Sequence, residues 1–353
     1  MIRVLIADDS PTLRQLIRII LESDPKLAVV GEATNGEEAV SLCQRLNPDI
    51  ITMDIHMPKM NGFEAIERIM AEMPRPIVVL TTPDSDKALN ITYKGIAAGA
   101  LAVIGKPRGF PGKDLNADEL INHVKTMAEV KVVGRRMPRQ QKVQIRPVVS
   151  PRFEGVAGQI RLIAIGASTG GPPALQTILK QFPVEFGVPV AVVQHISPEF
   201  TAGLARWLND TILLRVKLAE YGERMQPGIV YLAPGDKHLK VGANNAVLLD
   251  ASPKVDGHRP SATVLFESAA HAHGAQALGA LLTGMGRDGA RGLKTMYDKG
   301  CRTIAQNENT CVVFGMSAEA IAIGAASEVL PLSDIGRRII EIVETAQKNA
   351  MQR

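Results

Sequence analysis

Five side chains in the first third of the chain are of the types that handle a phosphoryl group: Asp8, Asp9, Asp54, Thr81 and Lys106. Short aliphatic runs precede them at residues 4–7, 50–53, 77–80 and 101–104, so each group is expected at the carboxyl end of a strand. In an open parallel sheet those ends converge on one crevice, which lets groups far apart in sequence meet. Carboxylates gathered so closely repel one another unless a hard cation sits among them, and Mg²⁺, held by a few carboxylates and water, suits such a site. An aspartate can then attack phosphorus to give an acyl phosphate while the metal and a lysine neutralise the transferred oxygens. The plainer alternative is that Asp8-Asp9-Ser10 caps a helix and Lys106 is a surface residue. Five such groups at successive strand ends favour the phosphoryl pocket.

A second set lies further along. Gly166-Ala167-Ser168-Thr169-Gly170-Gly171 follows the run 162–165 and precedes Pro172-Pro173, placing a serine between glycines at a strand-to-helix turn, where its hydroxyl can meet an ester. A phosphate-binding nest or a plain tight turn uses the same residue types. Ser168 stands where a dinucleotide fingerprint needs glycine, which disfavours that reading. A serine hydroxyl needs a base, usually histidine, oriented by a carboxylate. His195 emerges from the apolar run 189–193 plus Gln194, and Asp288 lies in the glycine-rich turn after the run 278–282. His238 and His258, expected in loops, remain competitors, whereas His271 and His273 are two apart on an expected helix and point in different directions. Backbone amides near Thr169 and Met285 are the expected oxyanion donors.

The elements that position these groups read as two α/β domains joined by a linker. Residues 4–7, 29–33, 50–53, 77–80 and 101–104 alternate with helical patterns such as Leu13, Leu16, Ile17, Ile20 and Leu21, giving a (βα)5, flavodoxin-like domain over 1–125. Residues 126–158 read as a linker, with prolines 138, 147 and 151 and no regular periodicity. A doubly wound, mainly parallel α/β domain follows over 159–347, with candidate strands at 162–165, 189–193, 229–232, 246–249, 278–282 and 311–314.

At 353 residues the chain exceeds one domain of ~150 residues and excludes a disulfide-stapled miniprotein. Cys43, Cys301 and Cys311 form no CxxC pair and are read as small buried hydrophobes. The net charge of +4 is concentrated in the linker, where residues 129–157 hold seven Lys or Arg against two acidic residues. Both domains are therefore near neutral, and with only 4% aromatics neither offers a basic, base-stacking face, so no nucleic-acid partner is expected. No run reaches the ~20 apolar residues of a membrane span, and the N-terminus turns acidic at Asp8 too early for a signal peptide. A cytoplasmic protein with no direct membrane insertion is expected.

The segments Ile6-Ala7-Asp8-Asp9-Ser10, Met53-Asp54-Ile55-His56-Met57-Pro58, Leu80-Thr81-Thr82 and Gly105-Lys106-Pro107 resemble the receiver domain of two-component response regulators. That resemblance implies Asp54 as phospho-acceptor, Asp8, Asp9 and Asp54 around Mg²⁺, Thr81 as switch hydroxyl, Lys106 as phosphoryl partner and a sensor histidine kinase as phosphodonor. Val103 stands where many receivers carry an aromatic switch residue. Beyond the linker, residues 166–172, Gln194-His195, Phe200-Thr201, Ala233-Pro234-Gly235, His238-Leu239, His258-Arg259-Pro260-Ser261 and 283–290 are similar to the catalytic domain of chemotaxis-type protein-glutamate methylesterases. The order Ser168, His195, Asp288 differs from that of common α/β-hydrolases and agrees with this family. The resemblance implies hydrolysis of γ-glutamyl methyl esters on the cytoplasmic helices of methylated chemoreceptors, deamidation of receptor glutamines, no cofactor for ester hydrolysis and recruitment to receptor arrays. The same chemistry on a non-chemotactic array, or a non-catalytic phospho-regulated adaptor, are the alternatives. In the regulated reading an unphosphorylated receiver partly covers the Ser168 cleft and phosphorylation displaces it.

Overall fold

The computed structural model describes residues 1–82, 93, 95, 99–109, 115–130 and 159–351. The chain divides into two units, 1–143 and 144–353, each built on its own sheet. In the first, β1 (Ile2–Ala7), α1 (Pro11–Glu22), β2 (Leu27–Ala33), α2 (Gly36–Leu46), β3 (Ile50–Asp54), α3 (Gly62–Glu72), β4 (Ile77–Thr81), β5 (Ala102–Gly105) and α4 (Leu115–Met127) follow in order. The strands form a parallel sheet in the order β2-β1-β3-β4-β5, the flavodoxin-like arrangement expected from the alternating runs. Strands β3 and β4 are buried throughout, as central parallel strands covered on both faces must be.

Asp54 and Thr81 are the last residues of their strands rather than the first beyond them. The ladder continues one step further than the aliphatic signal, pairing Asp54 with Leu80 and Thr81 with Gly105. The capping alternative at the N-terminus of α1 resolves onto one residue. Ser10 accepts from the Leu13 N–H, and Asp8 Oδ1 accepts from the Ser10 N–H instead of from the helix. Helix α4 runs to Met127, two residues into the span read as linker, and residues 131–158 of that span lie outside the described residues.

The second unit contains β6 (Leu162–Ala167), α5 (Gly171–Leu179), β7 (Val190–Gln194), α6 (Pro198–Thr211), β8 (Arg215–Leu218), β9 (Ile229–Leu232), β10 (His238–Val241), β11 (Val247–Asp250), α7 (Ala262–His273) and β12 (Ala277–Leu281), then α8 (Ala290–Asp298), β13 (Arg302–Gln306), α9 (Met316–Ala322), β14 (Glu328–Leu330) and α10 (Leu332–Met351). Seven parallel strands are ordered β14-β13-β12-β6-β7-β9-β8, so the direction of winding reverses beside β6. A crevice outside the strand ends is expected at such a switch point. Helix α7 seals one face there, burying Leu265, Phe266 and Ala269 against Leu281, Leu293 and Met296.

Three strand expectations change. Residues 311–314 are not a strand: Phe314 makes a single bridge to Gly284, and the sheet position belongs to β13. That strand escapes the aliphatic signal because Thr303 and Gln306 are buried in it by hydrogen bonds, Thr303 to Ser327 and Gln306 to Thr283 and Thr310. The run 246–249 falls in β11, which pairs antiparallel with β10 outside the main sheet. His238, expected in a loop, opens β10. Among the described residues no helix is long and apolar enough to cross a membrane. The cysteines are free, with Cys43 and Cys301 buried and Cys311 half-buried, and burial pushes the Cys301 thiol up to about 12 and the Cys311 thiol up to about 11.

Candidate functional site

At the carboxyl edge of the first sheet, Lys106 Nζ lies 2.9 Å from Asp8 Oδ2 and 2.9 Å from Asp54 Oδ2. Asp8 and Asp54 are buried and Asp9 is exposed, and the three offer carboxylate oxygens within 4.8 Å of one another. Burial raises the Asp54 pKa, and the neighbouring Asp8 adds to this against the pull of Lys106. Burial also weighs against charge on Lys106, but Asp54 and Asp8 outweigh it and raise its pKa. Three carboxylates facing one ammonium leave an excess of negative charge in a hard-oxygen cradle, the donor set that Mg²⁺ prefers. Thr81 Oγ1 is buried beside this edge with no hydrogen-bond partner among the described residues.

In the second unit the three adjacent strands β7, β6 and β12 deliver Ser168, His195 and Asp288 to one edge. The last β6–β7 pair is Ala167 with Gln194, so Ser168 and His195 are the next neighbours beyond the ladder. Cross-bonds hold them in step: the His195 N–H donates to Ala167 O at 3.0 Å and Gln194 Nε2 donates to Ser168 O at 2.7 Å. The Ser168 N–H donates to Thr283 O at 3.0 Å, tying the serine turn to the segment after β12. A Cβ on Gly284 would stand 2.7 Å from Ser168 Cβ and 2.2 Å from Met316 Sδ, so only glycine admits this approach. The Gly171 N–H turns back to Ser168 O at 2.8 Å, removing one of the amides a phosphate nest would present.

His195 Nε2 lies 2.8 Å from Asp288 Oδ2. Asp288 is fully buried and also accepts from Ser261 Oγ at 2.6 Å and from the N–H groups of Ala262 at 2.7 Å and Thr263 at 3.2 Å. Burial alone would raise its pKa, but His195, Ser261 and Ala262 hold it far below the usual carboxylate range. These amides open α7, whose positive N-terminal end favours an anion. His195, His258 and Asp288 are close enough to suggest a metal cluster. Yet the four donors occupy about all the acceptor sites a carboxylate has, leaving none for a metal. With Nε2 directed to Asp288, the opposite nitrogen, Nδ1, is buried without a hydrogen-bond partner among the described residues.

The competing histidines separate by environment. His238 is fully buried; its Nδ1 accepts from the Ser261 N–H, and its Nε2 contacts Pro253 O at 3.1 Å. His271 and His273 lie in the last turn of α7. His258 stacks on His195 with ring centroids 3.8 Å apart. The Thr169 N–H has no acceptor among the described residues, and Met285 is 46% exposed. Sequence reasoning gave no role to Ser261 and Thr263, although a serine ahead of the helical run 262–273 is an N-cap signal. Thr263 accepts from the Gly289 N–H at 2.8 Å, locking the turn that carries Asp288.

Residues 163–339 match the family model for the CheB methylesterase, and residues 4–123 match that for the response regulator receiver domain. The chain is 43% identical to protein-glutamate methylesterase/protein-glutamine glutaminase 1 of Syntrophus aciditrophicus (strain SB), over 97% of this chain and 98% of that relative. It is 45% identical to protein-glutamate methylesterase/protein-glutamine glutaminase 4 of Myxococcus xanthus (strain DK1622), over 96% of each. Among solved structures it resembles the CheB methylesterase catalytic domain of Thermotoga maritima, at 42% identity and TM-score 0.51, over 53% of this chain and 100% of that one.

Proposed function

The chain belongs to the protein-glutamate methylesterases/protein-glutamine glutaminases that carry a response-regulator receiver, and from that membership we propose that Ser168, His195 and Asp288 perform the hydrolysis under the control of Asp54. The observation that carries this reading is the saturated Asp288 carboxylate bonded to His195 Nε2, beside a serine held at the switch point.

Ser168 Oγ attacks the ester carbon of a γ-glutamyl methyl ester as its proton passes to His195 Nδ1. The amide of Thr169, joined by that of Met285, receives the charge developing on the carbonyl oxygen. The tetrahedral adduct collapses by breaking its bond to the methoxy oxygen, which leaves as methanol with the proton from Nδ1. Water then attacks the acyl-serine by the same proton route, freeing glutamate. A glutamine side chain follows the same path with ammonia as leaving group. Throughout, Asp288 stays ionised, keeps the Nε2 proton in place and offsets the positive charge on the ring.

In the receiver, Asp54 attacks phosphorus to form an acyl phosphate and the donor's leaving group departs, while Lys106 neutralises a phosphoryl oxygen. Asp8, Asp9 and Asp54 would hold Mg²⁺, which when bound neutralises the phosphoryl oxygens. Thr81 bonds the new phosphoryl group. The phosphodonor is a sensor histidine kinase, and the substrates are methylated chemoreceptor helices at a cytoplasmic array, with phosphorylation raising esterase activity.

The test is methanol release from methylated receptor membranes by the full-length protein, with and without a small-molecule phosphodonor and Mg²⁺. Release that requires Ser168, and stimulation that requires Asp54, is the expected result. Undiminished release by Ser168→Ala would exclude the covalent route.

A further inference from the structure

The serine mechanism uses one histidine, but two lie face to face at this edge. Their rings are 3.8 Å apart between centroids and within 8° of parallel. The second ring is presented by a tight turn. Val255 and His258 exchange backbone hydrogen bonds at 3.0 and 2.9 Å, with Asp256 at φ +50° and Gly257 at φ +84° between them. Adjacent left-handed residues of this kind make the sharpest two-residue reversal, for which Asp-Gly is a preferred pair. Within it, His258 Nδ1 lies 2.8 Å from Asp256 O, so that the ring is oriented by its own turn and makes no bond to His195. Arg287, next to Asp288 in sequence, pairs with Asp256 at 3.4 Å and links the turn to the Asp288 loop.

We propose that His258 is a positioning residue for the ester hydrolysis, a flat wall that keeps the His195 ring in the plane where Nε2 meets Asp288 and Nδ1 is left for Ser168. The inference rests on the proposed serine mechanism and deepens it. His195 is bonded through one ring nitrogen only, so its hydrogen bonding alone does not fix the tilt of the ring about its Cβ–Cγ bond. A parallel ring at van der Waals distance blocks that tilt without competing for either nitrogen. Burial, with His195 alongside, holds the His258 pKa down to about 4, so this wall is neutral near pH 7. When His195 accepts the serine proton, the imidazolium then lies against an uncharged ring, whereas a second imidazolium would repel it.

The test compares Ser168→Ala, His258→Ala, His258→Leu and His258→Phe in the full-length protein, by steady-state methanol release and by the ring-proton resonances of ¹⁵N-labelled histidine. Loss of in-plane alignment in His258→Ala and His258→Leu is expected to lower kcat by about tenfold or more and leave KM within about twofold, while His258→Phe stays within about threefold of the parent. The downfield proton on His195 Nε2, identified by its loss in Asp288→Ala, should broaden in His258→Ala and stay sharp in His258→Phe. A sharp resonance with undiminished kcat in His258→Ala overturns the inference, as does a His258→Phe protein as impaired as His258→Ala. Full activity of Ser168→Ala would instead overturn the serine mechanism beneath it, so the two failures are distinguishable.

Discussion

Asp54 and Asp288 are both buried aspartates near the carboxyl edge of a parallel sheet, yet their surroundings are opposite. Asp288 accepts four hydrogen bonds from a helix N-terminus, a serine and a histidine, and its charge is stabilised before any substrate arrives. Asp54 shares one lysine with Asp8 and has its pKa raised by burial, so its charge is poorly compensated. In the proposed mechanism Asp288 keeps one ionisation state through every turnover, and it is surrounded by fixed donors. Asp54, the proposed acceptor, is left with an electrostatic deficit that a cation and a phosphoryl group can relieve.

The largest expected effect lies at the centre of the preorganised site. Ser168→Ala should lower methanol release by about 10⁴-fold or more, since removing the nucleophile leaves only binding and oxyanion contributions. Asp288→Asn keeps the shape but places an amide where an anion belongs, and a loss of roughly 10²- to 10⁴-fold in kcat is expected in the same assay. A smaller loss would mean that the charge of Asp288 adds little to the acceptor it offers His195.

At the under-compensated site the sign reverses, and neutralising the aspartate should stabilise. In Mg²⁺-free buffer near neutral pH, Asp54→Asn should raise the stability of the receiver, read as a higher midpoint in thermal or urea unfolding. Mg²⁺ should then stabilise the parent more than the variant, by up to about 2.7 kcal/mol at a hundredfold excess over its Kd. Equal responses to Mg²⁺ would end the contrast between the two aspartates.

The smallest effect is one of pH. With its pKa held at about 4, folded His258 refuses a proton that the unfolded chain accepts below the ordinary histidine value, so stability falls as pH drops from 6.5 towards 4. His258→Phe removes that contribution, and its loss of stability over the same interval should be smaller by about 1 kcal/mol, allowing for partial exposure of the ring.

What could be read in advance follows from how each residue is held. The receiver strands are aliphatic runs with their polar groups at the ends, so both topology and pocket were visible, apart from Asp54 and Thr81 completing their strands. Ser168, His195 and Asp288 were visible because glycines or apolar runs frame each of them locally. Strand β13 was hidden because Thr303 and Gln306 are buried by partners from other segments, Ser327 and Thr283 among them, which no local pattern encodes. The hydrogen bond from Ser261 and the stacking of His258 are likewise tertiary facts, reached only when α7 and the turn at 255–258 meet the strand ends.

The bonds from Ala262 and Thr263 to Asp288 also make the charge at the proposed site measurable from the backbone. Amide hydrogen exchange at these two positions depends on how firmly the carboxylate accepts them, so a change in its ionisation or placement alters their protection factors. The two amides at the start of one helix thus serve as a built-in gauge of the site, readable by deuterium uptake without substrate or substitution.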